Sequence, residues 1–317
     1  MAVYTEVSFD EASDFLQALG LGQLQSLKAC AGGIENTNYF ADTDGGEYVL
    51  TLFERLSFEQ LPFYLQLMKH LAGNSIPVPN PAPDKNGLIL HRLKGKPAAV
   101  VNKLRGASQL APTLAHCASV GQTLARMHLA GQDFNLSQPN LRGLPWWNAT
   151  LPTILPHVSA DQRSLLLGEL AYQNHVAASS VYKALPTGAV HGDLFRDNVM
   201  FEGDALTGFF DFYFAGCDAF LFDMGVCLND WCVDLPTGQH DAARADAFLT
   251  AYQAVRPLIA QERALLPAMA RAGALRFWIS RLWDFYLPRE AALLKAHDPT
   301  HFERVLRERV LHPVRLS

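Results

Sequence analysis

The apolar residues change their period about a third of the way along the chain, and that change constrains the fold more than any other feature. Residues 24–30, 38–42 and 48–53 read as strands, and Asp44-Gly45-Gly46 between the last two predicts a hairpin. Ser8, with Glu11 three positions later, makes a capping-box signature ahead of Phe15, Leu16 and Leu19, predicting a short helix ended by Gly20 and Gly22. Residues 58–71 repeat at helical spacing, and Pro77, Pro79, Pro81 and Pro83 stiffen a connector before short strands near 88–90 and 98–101. From about Pro112 the pattern turns helical, over 114–128, 163–185, 220–231, 242–255, 261–285 and 301–310. Only 188–214 interrupts, as two short strands flanking a turn. The order predicts an α+β protein of two lobes with a cleft between them. A small N-terminal antiparallel-sheet lobe covers 1–104, a larger, mainly helical C-terminal lobe covers 105–317, and the polar stretch at about 101–108 serves as hinge.

The interrupting segment carries the chemistry. Residues 191–201 read His-Gly-Asp-Leu-Phe-Arg-Asp-Asn-Val-Met-Phe, and Phe209-Phe210-Asp211-Phe212 follows. An apolar run leads into His191-Gly192-Asp193, so Asp193 sits at a strand end, and Asn198 falls where the chain re-enters an apolar strand at Val199-Met200-Phe201. A single Asp in a turn is ordinarily a turn former. An Asp, an Asn five positions on, and a second Asp on another apolar strand are instead the layout of a phosphoryl-transfer site. That chemistry needs a carboxylate to orient the attacking hydroxyl and take its proton, and oxygen ligands to hold Mg²⁺ against nucleotide phosphates. Asp193 suits the first role; Asn198 and Asp211 suit the second.

The bulk composition excludes other classes. A net charge of −5 argues against a nucleic-acid binder. The five cysteines (Cys30, Cys117, Cys217, Cys227, Cys232) show no Cys-x-x-Cys pair, which suits buried thiols in a reducing cytoplasm. The eleven histidines form no zinc-like motif, no basic-then-apolar leader opens the chain, and no window approaches eighteen uncharged apolar residues. The expectation is a cytoplasmic protein with a small-molecule substrate and no nucleic-acid or membrane partner.

The His-Gly-Asp-(four residues)-Asn element followed by Phe-Phe-Asp-Phe resembles the aminoglycoside phosphotransferase family, a branch of the protein-kinase-like fold. Gly192 stands where protein kinases carry the Arg that meets a phosphorylated activation loop, and no Ala-Pro-Glu follows Asp211. Both departures point away from protein substrates. The words at 32–40, 47–54, 140–147 (Asn-Leu-Arg-Gly-Leu-Pro-Trp-Trp), 210–218 and 227–232 resemble the homoserine kinases of that family, over nearly the whole chain.

The resemblance implies ATP-dependent phosphorylation of the side-chain hydroxyl of L-homoserine, giving O-phospho-L-homoserine on the route to threonine. Carried over by position, Asp193 would be the base, and Asn198 and Asp211 would hold Mg²⁺. Residues 32–38, with Gly32, Gly33, Asn36 and Asn38, would cover the phosphates. Thr51 stands where most of the superfamily has a strand Lys, so Arg55, another cation, or Mg²⁺ with backbone amides must carry that load; Glu59 would be the missing Lys's partner. An amino-acid acceptor calls for an acid and a cation: Asp230 for the ammonium, Arg142 or Arg196 for the carboxylate. Trp146 and Trp147 read as packing, Asp218 and Asp223 as braces, His191 as an organiser of its own loop, and His128, Arg276 and Arg281 as structural. Two other readings stay open. A sibling kinase could act on choline, methylthioribose or an aminoglycoside, with Trp146, Trp147 and Trp231 available for an aromatic cage. An inactive nucleotide-binding regulatory module is favoured by Thr51 and opposed by the intact Asp193, Asn198 and Asp211.

Overall fold

Ser8 starts the first helix as its sequence predicts. In the computed structural model, which describes residues 5–30, 36–287 and 297–316, its Oγ accepts from the Glu11 amide at 3.3 Å. The Glu11 carboxylate in turn accepts from the Ser8 amide at 2.9 Å, closing the box over α1 (Phe9–Ala18). Five antiparallel strands follow: β1 (Leu24–Ala29), β2 (Asn36–Thr43), β3 (Gly46–Phe53), β4 (His91–Leu93) and β5 (Lys96–Asn102), in the spatial order β1-β2-β3-β5-β4. Thr37, Tyr39, Ala41 and Thr43 alternate inward along β2, so one face of the sheet joins Leu16 of α1, Leu50 and Val100 in a single core. The β2–β3 hairpin turns at Asp44-Gly45 as expected.

Two boundaries differ from the sequence reading. α2 (Leu61–Gly73) begins three residues late, because the Ser57 carbonyl accepts from the amides of Gln60 and Leu61 and holds 57–60 in a turn. The strand expected at 88–90 lies instead at β4. Asp84 accepts from the amides of Asn86 and Leu88 at 2.8 and 2.9 Å, and this curl delays pairing until His91.

The chain divides into two compact units, Met1–Arg105 with Thr207–Phe210, and Gly106–Leu206 with Asp211–Ser317. The second holds α3 (Leu114–Ala130), α4 (Leu144–Ile154), α5 (Ala160–Ala178), α6 (Ser180–Lys183), β6 (Thr187–Val190) and β7 (Val199–Glu202). β8 (Ala205–Phe209) begins there and ends in the first unit. Then come β9 (Gly216–Ala219), α7 (Phe220–Asp230), α8 (Ala242–Val255), α9 (Ala260–Tyr286) and α10 (Thr300–Leu311). The helix expected over 163–185 is two, because Ser179 adopts extended angles and its Oγ accepts from the Tyr182 amide to start α6. α4, which the sequence reading left unassigned, carries Pro145 in its first turn and Pro152 within it.

α3 packs on α8 and α7 on α9. α7 is buried at every position, and a Cβ on Gly225 would lie 2.4 Å from the Met269 carbonyl oxygen of α9, so only glycine permits that approach. A helix buried all round must satisfy its polar side chains internally. Asn229 does so by donating to the Ala270 carbonyl (2.6 Å) and accepting from Arg309 Nε (2.9 Å). Its neighbours Asp223 and Asp230 do so within the segment that carries the candidate site.

Candidate active site

β6 pairs antiparallel with β9 and delivers the chain, buried, into His191-Gly192-Asp193. The turn is held from α7. Asp223 accepts from the His191 amide through Oδ2 and from the Gly192 amide through Oδ1, both at 2.8 Å. Gly192 has φ +74°, a conformation that a side chain would strain. The Asp223 carboxylate also accepts from His128 Nε2 at 3.1 Å, and His128 Nδ1 meets the Tyr252 hydroxyl at 2.7 Å. Burial alone would raise the Asp223 pKa, but hydrogen bonds from His128 and the Gly192 amide outweigh it and hold the carboxyl below its usual range. A charged acceptor therefore fixes two consecutive amides of the turn. His191 is fully buried, its ring 4.5 Å from that of Phe212, and its Nδ1 accepts from the Asp193 amide at 3.3 Å. Asp223 and His191 thus brace the loop.

The Asp193 side chain is 16% exposed. Burial pushes its pKa up to about 7, Arg276 pulls the other way, and Asp211 and Asp197 add to the rise. A carboxyl near neutrality that keeps part of its side chain exposed is suited to proton exchange with a hydroxyl. Arg276 Nη1 lies 3.9 Å from Asp193 Oδ1, and its guanidinium stacks 3.7 Å from the Phe277 ring centroid and 5.2 Å from that of Phe214.

Asn198 closes a 3₁₀ turn (Arg196–Asn198), and its Nδ2 donates to the Asp193 carbonyl at 2.8 Å. That bond turns Oδ1 the other way, with no protein donor on it among the described residues. Asp211 follows β8 with φ +63° and ψ +59°, a left-handed conformation uncommon for Asp and a form of strain that concentrates at functional sites. One amide oxygen and one carboxylate, both hard donors, match what a kinase-type Mg²⁺ takes from protein when phosphates and water supply the rest. No group of three or more His, Cys, Asp or Glu that could hold a metal alone occurs among the described residues, so any ion here would share its coordination with a ligand.

Among the other candidates, Gly32 and Gly33 lie outside the described residues. Asn36 opens β2, and Asn38 Oδ1 accepts from the Thr51 hydroxyl at 2.8 Å across the β2–β3 pair. Thr51 is thus a buried sheet contact, and Glu59 is exposed. Asp230 and Arg196, assigned from sequence to opposite ends of an acceptor, bind each other. Asp230 Oδ2 accepts from the Arg196 amide (2.7 Å) and Nε (3.1 Å), Arg196 Nη2 donates to the Asp230 carbonyl, and Nη1 donates to the Leu110 carbonyl (2.8 Å). The two residues lock the loop to the end of α7. Arg142 lies over the Trp146 ring at 4.5 Å and 6.0 Å from the Phe214 ring, which brings it toward Arg276. Trp147 is buried against Phe222. Asn140 donates to Asp218 at 2.8 Å and accepts from the Arg142 amide at 2.9 Å, so the 140–147 word is the anchored start of α4. Sequence reasoning missed Arg276 at the site. The available signal was a charged residue inside the apolar run of α9, which reads equally well as structural.

Residues 26–258 match the family described as phosphotransferase enzyme family. The chain is 73% identical over 313 residues to a homoserine kinase of Polaromonas naphthalenivorans, covering 99% of each chain. It is 57% identical over 320 residues to one of Burkholderia multivorans, covering 98% of this chain and 96% of that one. Among solved structures it resembles an amicoumacin kinase in complex with AMP-PNP and Ca²⁺, with TM-score 0.71 at 17% identity, over 97% of this chain and 95% of that one. It also resembles a GDP complex of aminoglycoside 2'-phosphotransferase-IIIa, with TM-score 0.65 at 15% identity, over 96% of this chain and 99% of that one. With the family match spanning most of its length and relatives this similar end to end, the chain belongs to the phosphotransferase enzyme family, as a small-molecule kinase on the protein-kinase-like α+β fold.

Proposed function

We propose that the protein transfers the γ-phosphate of ATP to the side-chain hydroxyl of L-homoserine, giving O-phospho-L-homoserine for threonine synthesis. One observation carries the acceptor: 73% identity, end to end, with a protein named homoserine kinase. Asp193 orients the acceptor hydroxyl and takes its proton as the oxygen attacks. Its raised pKa makes it a better proton acceptor than a free carboxylate, at the cost of being partly protonated near neutrality. The Asn198 Oδ1 and the Asp211 carboxylate would hold Mg²⁺, which would neutralise charge on the phosphates. Asp223, through the His191 and Gly192 amides, keeps Asp193 in place without touching substrate. Asp230 and Arg196, spent on each other, brace the same loop from its other end.

In this reading residues 1–104 bind nucleotide, with Gly32, Gly33, Asn36 and Asn38 over the phosphates and a hinge at about 101–108. Residues 105–317 carry catalysis and the acceptor. Free thiols at all five cysteines fit a cytoplasmic enzyme, and no described helix is long and apolar enough to cross a membrane. ADP release measured with homoserine, choline, methylthioribose and kanamycin tests the assignment. Turnover with homoserine in preference to the others is expected; turnover of another acceptor without homoserine would defeat it.

A further inference from the structure

Arg276 is a buried cation that makes no hydrogen bond among the described residues. It is 4% exposed on α9, and its Nε is buried with no partner. Its five N–H groups make no hydrogen bond among the described residues. The nearest carboxylate oxygen, Asp193 Oδ1, is 3.9 Å away, beyond hydrogen-bond reach and unlike the forked contact at about 2.8 Å that an Arg–carboxylate pair adopts when pairing is its purpose. Burial pushes the guanidinium down to about 10, a sign that its charge is uncomfortable where it stands. A second guanidinium, Arg142, approaches the same Phe214 ring at 6.0 Å, against 5.2 Å for Arg276. Arg281, five residues further along α9, adds to the field at Asp193 and also forms no hydrogen bond among the described residues. Holding the Arg276 charge in the interior without a hydrogen-bonded counterion among the described residues costs stability that an arriving anion would recover.

We infer that Arg276, with Arg142 beside it, is the docking group for the α-carboxylate of the acceptor amino acid, and so selects acceptors that carry one. The inference rests on Asp193 being the group that meets the acceptor hydroxyl. In L-homoserine the hydroxyl oxygen and the carboxyl carbon are four bonds apart, about 5 Å when extended. One molecule can therefore reach Asp193 with its hydroxyl and the neighbouring Arg276 with its carboxylate. An amino alcohol without the carboxylate leaves the buried guanidinium unpaired. Discrimination by an unmet polar group is much stronger than discrimination by size.

The test compares kcat/KM for L-homoserine and for 3-aminopropan-1-ol, the same molecule without its carboxylate, in wild-type enzyme, Arg276→Met and Arg276→Lys. Wild type is expected to prefer homoserine by about 100-fold or more. Arg276→Met should lose most of that preference, chiefly through a raised KM for homoserine, and Arg276→Lys should retain part of it. A merely structural Arg276 would lower activity on both acceptors equally, leaving the preference intact; that outcome overturns the inference. Should Arg276→Met fail to fold, wild-type selectivity for L-homoserine over L-homoserine amide decides instead, and its absence overturns the inference. Turnover of homoserine without any carboxylate preference leaves the acceptor reading standing and removes this one. No turnover of homoserine removes both.

Discussion

Replacing Asp193 by Asn should make the protein more stable while nearly abolishing activity. Burial raises the Asp193 carboxyl from 3.8 to about 7 in the folded protein, Arg276 and Arg281 offsetting part of the rise. Between those values the unfolded chain carries the charge and the folded chain carries the proton, so wild-type stability falls as pH rises through that window and levels off above it. Three units at about 1.4 kcal/mol each set a ceiling of about 4 kcal/mol on what the ionised side chain costs at pH 8. The side chain is 16% exposed, and water and relaxation reduce the cost to about half, so the variant should gain about 2 kcal/mol, or about 3 °C in Tm. An Asn oxygen can keep the contact that Asn198 Nδ2 makes with Asp193 Oδ2 at 3.5 Å, so little is lost in exchange. The gain should shrink to less than half at pH 5, where folded Asp193 is already protonated. Turnover, losing the proposed proton acceptor, should fall about 10³-fold. Thermal unfolding of both proteins at pH 5 and pH 8, beside ADP release, gives all the quantities. A variant less stable than wild type, or a difference equal at the two pH values, would refute the reasoning.

Asp223→Asn puts an amide hydrogen against one of the loop amides it now accepts from. It should cost about 2–4 kcal/mol in denaturant unfolding and lower kcat more than it changes the KM for ATP; unchanged kcat would disprove the bracing role. Asp230→Ala strands Arg196 in the interior and should cost about 3–5 kcal/mol, whereas Arg196→Met with Asp230→Leu should recover most of that; equal losses in the single and double variants would show that the pairing is not the reason. Asp211→Gly relieves a left-handed φ of +63° and should raise stability by about 1 kcal/mol while turnover collapses or demands far more Mg²⁺. An unaltered magnesium titration would remove Asp211 from the ligand set.

What could be read from sequence is what the chain encodes locally. Asp193, Asn198 and Asp211, the proposed site, stand within one stretch framed by apolar strands, and the strand-turn-strand frame around them survives as a word. Ser8 with Glu11, and Asp44-Gly45-Gly46, were legible for the same reason. The partners that give those residues their properties come from elsewhere. Nothing near Asp193 announces Arg276 on α9, and nothing near Arg196 says that Asp230 will close on it, so two plausible acceptor ligands proved to be each other's counterion. α4 is not legible in the sequence because Pro145 and Pro152 look like breakers, although the first sits where a helix has no use for its amide hydrogen. The 163–185 stripe concealed Ser179, whose hydroxyl serves as a cap only once the backbone has left the helix.

The return of Thr207–Phe210 to the first unit bears on how the protein is made. Phe209 is wholly buried, its amide donates to the Pro77 carbonyl at 2.9 Å, and Thr207 Oγ1 donates to the Arg105 carbonyl at 2.6 Å. As the chain leaves the ribosome, the first unit must wait for all of Gly106–Leu206 to be synthesised before these partners exist. A fragment ending at Arg105 would carry every strand of the five-stranded sheet yet lack the piece that covers Pro77. It should emerge as a sticky intermediate needing a chaperone's shelter, not as a free-standing nucleotide module.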